Sequence, residues 1–372
     1  MKIEVDKDQL LKSLNIADSV ISSKNINTAI SNCLFNVIKD EIEIVSTDNE
    51  IGIRTRIDAK SDFEDSFTVD GKIFTGILKE LPKGHIKLEI SESYLIEMHS
   101  SSSDIKGYSK IIGKDASEFP DLPILPDDNA IEIENDILKE MIRKVIYAAA
   151  KDTTKPVFHG IFMSYNNQNN LTMVATDSRR LSIASKPIEG DVNLEEGIIL
   201  PLKAANELFR LLENEGRCKF ILKNNQCFFN LGRTELMSRI VDGQFPNYKQ
   251  VIPVEFIFKA LVQKNRLMDS LRRAIIFTRE PSYKIILHFK KDVLTIEAKT
   301  PELGESIEEI PIESDSNEEI SIGLNAQFIM DSIKEIDSHS VIISITGSMS
   351  PVAFSPEDDN NYLSVIMPIK MK

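Results

Sequence analysis

The 372-residue sequence has no tryptophan and only three cysteines, Cys33, Cys218 and Cys227. None of the three sits in a CxxC or comparable pair, so their spacing supports neither a zinc site nor a disulfide framework. The five histidines occur without HxxxH, HExxH or HxE spacing, and no GxSxG, P-loop or GxGxxG motif is present. We therefore expect buried thiols in a reducing compartment, and no catalytic residue, metal ion or cofactor.

The sequence also lacks an apolar run near the roughly 18 residues that a membrane helix needs. Its first 14 residues contain no basic segment followed by an apolar core. We therefore expect a cytoplasmic protein with no membrane partner. Hydrophobic residues at 42% and charged residues at 27% are close to the globular average, and the length suggests two or three domains at about 150 residues each.

Basic side chains are fewer than acidic ones, 44 against 58, for a net charge of −14. This balance argues against a protein that binds nucleic acid on every face. The six segments that we predict to contain helices nevertheless carry a net +8, which leaves −22 on the strands, loops and linkers. Such a protein would present a basic and an acidic face, although helices also favour Lys and Arg for their propensity alone.

The chain repeats itself at offsets of 126 to 129 residues, and the third copy is the faintest. Proline-bearing segments 119–126 and 245–253 read as extended linkers, because proline lacks a donor and disfavours helix before it. We predict three domains, at residues 1–125, 126–253 and 254–372. Three pairs of segments carry the repeat: 3–8 with 131–136, 46–49 with 175–178, and 118–121 with 244–247.

Each repeat has the pattern of a short strand, a helix, several strands, a second helix and further strands. In the third repeat we predict helices at 262–277 and 328–336, and a strand at 293–298. Strands outnumber helices and follow one another after short turns, which favours antiparallel sheets. The predicted class is α+β, with two helices backed by antiparallel sheets in each of three similar domains.

Asp48 and Asp177 recur at equivalent positions of the first two repeats. Paired carboxylates would suit an enzyme that uses acid–base chemistry. Each aspartate follows a strand and precedes Asn or Ser, however, and this context favours a carboxylate that caps a turn.

A stretch in the second repeat carries a resemblance to a known family. Val174–Leu181 reads Val-Ala-Thr-Asp-Ser-Arg-Arg-Leu, which is similar to Val-Ala-Thr-Asp-Gly-His-Arg-Leu of the bacterial DNA polymerase III beta subunits, the replicative sliding clamps. Val241–Tyr248 and Val365–Lys370 resemble the same family in the same order. The family also has a threefold repeat, so the resemblance covers the entire chain.

The resemblance implies a closed ring of two head-to-tail copies around duplex DNA. Two copies with six predicted helices each supply twelve helices. Since a helix is roughly 10 Å across, twelve helices side by side around a circle leave a bore of roughly 28 Å. Basic helices lining this bore would contact phosphates without reading sequence. The candidate DNA-facing residues are Lys12, Lys24, Lys72, Lys79, Arg143, Lys144, Lys151, Lys203, Arg210, Arg266, Arg272 and Arg273.

The resemblance further implies an apolar pocket that binds short peptides of the replicative polymerase alpha subunit, the clamp loader and other proteins with a clamp-binding motif. Ser178, Arg179 and Gln250 stand where the family usually has Gly, often His and frequently Arg, so peptide preference is open. The pocket residues carried over by position are Phe158, Thr176, Ser178, Arg179, Arg180, Leu181, Pro246, Gln250, Val251, Met349, Val365, Ile366, Met367, Pro368 and Ile369.

The resemblance also implies a dimer interface, assigned by position. It would place Ile73, Ile77 and Leu81 of the first domain against Ile276 and Phe277 of the third domain of the other copy. The expected function is that of a DNA sliding clamp and processivity factor with no catalytic activity of its own. Two alternatives stay open: an enzyme that uses the repeated carboxylates, and a repeat-built scaffold that binds proteins without encircling DNA.

Overall fold

The structure is a computed structural model that describes residues 1–21, 30–100, 108–127, 130–152, 154–166, 169–190 and 194–371. In these ranges the longest helices have 12 residues, whereas about 20 are needed to span a bilayer. The helices of the described ranges are α1 (Lys7–Asp18), α2 (Gly71–Glu80), α3 (Asn135–Ile146), α4 (Leu202–Leu211), α5 (Lys264–Ala274) and α6 (Ala326–Lys334).

In each repeat one strand precedes the first helix, a group of strands lies between the two helices, and a further group follows the second helix. The first repeat has β1 (Lys2–Asp6), β2 (Asn32–Ile38), β3 (Glu41–Thr47), β4 (Ile51–Ser61), β5 (Asp65–Asp70), β6 (His85–Ile90), β7 (Leu95–Ser100), β8 (Tyr108–Ile112) and β9 (Lys114–Asp115). The second has β10 (Ile131–Glu134), β11 (Gly160–Asn166), β12 (Asn170–Thr176), β13 (Arg180–Pro187), β14 (Leu194–Pro201), β15 (Arg217–Lys223), β16 (Gln226–Asn230) and β17 (Thr234–Arg239). The third has β18 (Phe258–Gln263), β19 (Lys284–Lys290), β20 (Val293–Thr300), β21 (Gly304–Pro311), β22 (Glu313–Ser314), β23 (Ile320–Asn325), β24 (Ser340–Ile345), β25 (Val352–Pro356) and β26 (Tyr362–Ile366).

In every repeat one helix follows the first strand and a second helix follows the next group of strands. All pairings between the described strands are antiparallel, as in the β4 and β17 pair or the β13 and β26 pair. The α+β prediction is therefore confirmed. The predicted helix at 262–277 is shorter, since 258–263 form β18 and 275–277 form a 3-10 turn. The linker at 245–253 also contains a 3-10 turn, Tyr248–Val251, because Pro246 restricts the residue before it and not those after it.

The described residues form two compact units. The first unit comprises Met1–Asp136, Glu189–Val192 and Asn206–Ile240. It contains a 13-stranded sheet system in which β17 of the second repeat pairs with β4 of the first. Its core includes Leu10, Phe35 and Phe74, which are fully buried.

The second unit comprises Ile137–Ile188, Asn193–Ala205 and Val241–Lys372. It contains a nine-stranded sheet in the order β14-β11-β12-β13-β26-β25-β24-β18-β22 and a four-stranded sheet in the order β21-β20-β19-β23. Helices α5 and α6 pack on a core that includes Phe258, Phe289 and Phe354. The second repeat thus contributes residues to both units.

The three cysteines are free and buried, as predicted. Burial raises the pKa of the Cys218 and Cys227 thiols to about 12. These thiols therefore stay protonated at neutral pH and act as small apolar side chains.

The first residue of each repeat's first helix donates to the chain that follows the second helix. The Lys7 ammonium donates to the Leu81 carbonyl at the end of α2, and the Lys264 ammonium donates to the Ile336 carbonyl beyond α6. In the second repeat the Asn135 Nδ2 donates to the Glu215 carbonyl at 2.8 Å. The carbonyls at a helix C-terminus carry partial negative charge and need donors. In each repeat this hydrogen bond therefore links the start of the first helix to the chain at or after the end of the second helix.

Candidate functional site

The turn after β12 is built by Thr176, Asp177 and Ser178. Thr176 Oγ1 donates to the Arg180 carbonyl at 2.6 Å, and Asp177 Oδ1 accepts from the Arg179 and Arg180 amides at 2.9 and 3.0 Å. Ser178 has φ of 73°, a region that glycine enters at lower cost. The aspartate therefore caps the turn, as its context predicts.

The first repeat contains the same turn after β3. Asp48 Oδ1 accepts from the amides of Glu50 and Ile51 at 3.0 and 2.8 Å, and Asn49 has φ of 74°. Both repeated carboxylates are thus occupied by backbone donors. Within the described ranges, no group of three or more His, Cys, Asp or Glu side chains could hold a metal ion.

Strand pairing brings several of the predicted pocket residues together. Leu181 on β13 lies opposite Val365 on β26, and Arg180 lies opposite Ile366. The Met367 amide extends this ladder by donating to the Arg179 carbonyl at 2.8 Å. Leu181 and Val365 are buried in a cluster with Phe245, so the chain from β13 and the chain after β26 share one apolar floor.

Apolar side chains remain exposed on the segments around this floor. Val251 is 42% exposed at the end of the 3-10 turn, and Met367 is 41% exposed just after β26. Met349 is 58% exposed in the turn between β24 and β25, and its place in the pocket stays a prediction. Exposed aliphatic and methionine side chains beside a buried apolar floor suit the adaptable binding of an apolar peptide.

A groove of about 1070 Å³ adjoins the same turn. Phe158, Ser178, Arg179 and Arg180 of the predicted pocket set line it. Three further residues on α6 line it and were missed by the sequence reasoning, because helical period alone does not say which face of α6 meets the turn. These residues are Gln327, Phe328 and Asp331.

Arg180 is the best-connected residue of the groove. Its guanidinium donates to Asp177 Oδ2 at 3.0 Å, to Asp331 Oδ2 at 2.6 Å and to the Tyr147 carbonyl at 2.7 Å. It also lies 4.4 Å from the centre of the Phe328 ring. Arg180 therefore pairs with two carboxylates, and its contacts hold the end of α3, the turn and α6 together.

The chain after Met367 is fixed to the four-stranded sheet. The Ile369 amide donates to the Gly323 carbonyl on β23 at 2.8 Å, in an isolated antiparallel bridge. A Cβ atom at position 323 would lie 2.5 Å from the Ile369 carbonyl oxygen, closer than real Cβ contacts occur. Only glycine therefore allows this C-terminal segment to lie where it does.

Most predicted DNA-facing residues are exposed, and several of them form surface ion pairs. Lys12 lies 2.8 Å from Glu213 and Arg210 lies 2.8 Å from Glu207. Pairs of this kind contribute about 0–1 kcal/mol and exchange partners readily. The exposed members are Lys12, Lys72, Lys79, Lys151, Arg210, Arg266, Arg272 and Arg273.

The remaining DNA-facing candidates differ from these. Lys24 lies outside the described residues, and Lys203 is half-buried. Arg143 donates to Glu335 at 2.7 Å and to Asp337. For these three the DNA-facing role stays a prediction.

Lys144 does not fit the role predicted for it. Its side chain is 5% exposed, and its ammonium lies 2.6 Å from Glu140 and 3.3 Å from Asp359. Burial alone would lower the pKa of Lys144, but the hydrogen bond and charge of Glu140, with Asp359, raise it overall, so the ammonium stays charged within this cluster. A buried lysine held by carboxylates is not available to a phosphate.

The predicted interface residues divide into exposed and packed ones. Ile73 on α2 is 55% exposed, and Ile276 in the turn after α5 is 68% exposed. Ile77 and Leu81 pack partly against the core of the first unit, and Phe277 packs against that of the second. The exposed pair are large apolar side chains that a second copy could cover.

Comparison with known proteins matches the chain over almost its whole length. Three family models match, those of the N-terminal, central and C-terminal domains of the DNA polymerase III beta subunit. They match residues 1–123, 132–247 and 249–370 of this chain, respectively. A beta sliding clamp of Halalkalibacterium halodurans is 29% identical over 383 aligned residues, covering 100% of each chain. The DNA polymerase III subunit beta of Pseudomonas aeruginosa superposes with a TM-score of 0.94 at 24% identity, and that of Thermotoga maritima with 0.91 at 28% identity, each over the whole of both chains. The family resemblance is thereby confirmed, and the chain belongs to the DNA polymerase III beta subunit family.

Proposed function

We propose that this chain is a DNA sliding clamp, a non-catalytic processivity subunit that keeps a replicative DNA polymerase on its template. The observation that carries the proposal is the match of all three beta subunit domains, in order, over residues 1–370. The relatives named beta sliding clamp, at 29% and 27% identity, support it over the full chain length. We retain 1–125, 126–253 and 254–372 as the proposed domains.

The proposed ring consists of two copies joined head to tail. Ile73 and Ile276 supply exposed apolar surface, and two sheet edges supply unpaired backbone. In the described ranges β8 ends one sheet and β21 ends another, and each edge exposes a large apolar side chain, Ile112 at 77% and Ile307 at 62%. Exposed edges with apolar side chains are templates for pairing with another chain. We propose that β8 of one copy pairs with β21 of the other.

We propose that the exposed cations of the six helices face DNA inside this ring. A negative exterior would oppose direct approach of DNA, while cations in the bore would attract phosphates without reading bases. Lys144 is removed from the set because it is buried. Since a bacterial chromosome lies in the cytoplasm, we propose that compartment as the site of action.

The partner site is the apolar pocket formed by Leu181, Val365 and the exposed side chains of Val251, Met349 and Met367. We propose that short peptides of the polymerase alpha subunit and the clamp loader, and of other proteins with a clamp-binding motif, bind there. The buried floor and exposed apolar rim support this assignment, since each buried aliphatic side chain contributes roughly 1.5–3 kcal/mol.

The clamp mechanism is tested by comparing circular and linear DNA. The protein is loaded by a clamp loader onto a nicked circular plasmid, and the complex is washed in a salt concentration that abolishes direct binding. Retention on the circle and release after linearisation are expected, because a closed ring leaves DNA only by opening or by reaching an end. Equal retention on both would contradict encirclement, and peptide binding without any DNA retention would favour a protein-only scaffold.

A further inference from the structure

The junction between β4 of the first repeat and β17 of the second has the strand pairing of the proposed peptide pocket. In that pocket, Leu181 on β13 lies opposite Val365 on β26. At the first junction, Gly52 on β4 lies opposite Met237 on β17. Gly52 and Leu181 each follow the aspartate of the preceding turn by four residues. The two junctions are therefore equivalent positions of the repeat.

The chain around both junctions is held in the same way. The Arg239 amide donates to the Glu50 carbonyl at 3.0 Å, as the Met367 amide donates to the Arg179 carbonyl at 2.8 Å. The linker that follows each repeat also begins with a buried phenylalanine, Phe119 or Phe245. The first junction thus has the backbone of a peptide site, and its side chains decide whether the site is open.

The first junction differs in having no side chain at position 52. A Cβ atom there would lie 2.9 Å from Leu122 Cδ2 and 2.6 Å from Met237 Cε, closer than real Cβ contacts occur. Gly52 therefore leaves a notch in β4, and the Leu122 side chain of the linker fills it. The space that remains beside Leu122, Pro123 and Phe228 is about 10 Å³, enough for one water molecule at most.

Side-chain contacts hold segment 120–126 over this notch. In the part of the chain that the structure describes, none of its residues takes part in a hydrogen bond or an ion pair. Its backbone is extended before it docks, because prolines at every third residue match the period of the polyproline II helix. These prolines are Pro120, Pro123 and Pro126. The segment therefore has the properties of a bound peptide ligand, although it belongs to the same chain.

We propose that the notch between β4 and β17 is a second peptide site, which the chain closes with its own segment 120–126 and the anchor Leu122. The ligand class is an extended, proline-bearing peptide with one leucine anchor, because the site already holds a segment of this kind. The notch lies in the first compact unit and Leu181 in the second, so this site is distinct from the pocket of the proposed function.

Release of the segment would open the site. Seating one half-buried leucine favours the docked state about tenfold, and a tethered segment competes at an effective concentration in the millimolar range. A site that is free in about one molecule in ten has an apparent affinity about tenfold lower. An outside peptide of the same class should therefore bind about tenfold more tightly when Leu122 no longer anchors the segment.

The test uses the full-length protein and a fluorescein-labelled peptide of residues 118–127, with binding measured by fluorescence anisotropy. Leu122→Asp should release the segment, because a carboxylate loses its hydration on an apolar notch. We expect this variant to bind the peptide about tenfold more tightly than the wild type does. A companion peptide that carries Leu122→Asp should show no such gain. Binding at the Leu181 pocket would be common to both proteins and would not change the ratio.

Ile124→Asp is the matched control, because it places the same charge in the same segment on a side chain that is 81% exposed. It should keep the wild-type affinity for the peptide. Leu122→Ala removes the anchor without adding a charge, and it should give a gain in the same direction if the Asp variant loses its fold by circular dichroism. Adding Gly52→Leu to Leu122→Ala should abolish the gain, because the new side chain fills the notch.

Three results would overturn the proposal. Equal peptide affinity in the wild type and in folded Leu122 variants would show that the segment does not close a peptide site. An equal gain in Ile124→Asp would show that Leu122 is not the anchor. A gain that persists after Gly52→Leu would place the bound peptide outside the notch.

Discussion

Replacing Gly323 by alanine should weaken peptide binding, although residue 323 is not part of the proposed pocket. The added Cβ would lie 2.5 Å from the Ile369 carbonyl oxygen, whereas ordinary contact begins at 3.4 Å. The C-terminal segment must therefore move by about 1 Å or lose its bridge to β23. Either change displaces the chain that continues from Met367 through Pro368 to Ile369.

The expected loss of peptide affinity follows from the contacts that Gly323→Ala would remove. Loss of the 2.8 Å bond from the Ile369 amide to the Gly323 carbonyl would cost about 0.5–1.5 kcal/mol. Displacement of the pocket wall adds the loss of apolar contact with a bound peptide. We expect an affinity about tenfold lower, equivalent to about 1.4 kcal/mol, with only a small change in the melting temperature, since the sheets themselves do not depend on this bridge.

Isothermal titration calorimetry with a peptide bearing apolar anchors would measure the change. Gly76→Ala is the matched control, because no atom lies within 4 Å of the added Cβ and residue 76 is in α2. This control should bind the peptide normally, and it should raise stability by up to about 1 kcal/mol. Wild-type affinity in Gly323→Ala would refute the reasoning, by showing that the pocket does not depend on the position of the C-terminal segment.

Two further predictions concern assembly and stability. Replacing the exposed Ile73 and Ile276 by Asp should give folded monomers in sedimentation velocity, because charges would occupy a surface that a second copy must cover; a dimer of unchanged stability would show that the interface lies elsewhere. Lys264→Met should lower the free energy of unfolding in urea by about 1–3 kcal/mol, since the Ile336 carbonyl beyond α6 loses its charged donor, and an unchanged midpoint would show that water replaces the ammonium.

The repeat and the order of elements could be predicted from the sequence because both depend on local patterns. Alternation and helical period reflect burial of one face, and the Asp48 and Asp177 turns are closed by residues two and three positions away. The burial of Lys144 could not be predicted this way. Its lysine pattern is that of an exposed helix face, and the carboxylate of Asp359 that helps to hold it lies 215 residues away in the sequence.

The pocket residues also depend on contacts between parts of the chain that are distant in sequence. Leu181 and Val365 were found through resemblance to a family, since 184 residues separate them and no periodic pattern links them. Phe328 and Asp331 were missed because their role depends on which face of α6 meets the turn. The sheet edges β8 and β21 were missed as well, because a strand at an edge has the same alternation as a strand inside a sheet.

The second repeat contributes to two compact units, so the repeat in the sequence does not coincide with a compact unit of the structure. Its strand β17 pairs with β4 of the first repeat, and its strand β13 pairs with β26 of the third. A repeat is thus a unit of sequence whose sheets continue into strands of the neighbouring repeats. The chain keeps those pairings within one polypeptide, and in the described ranges β8 and β21 are left as sheet edges.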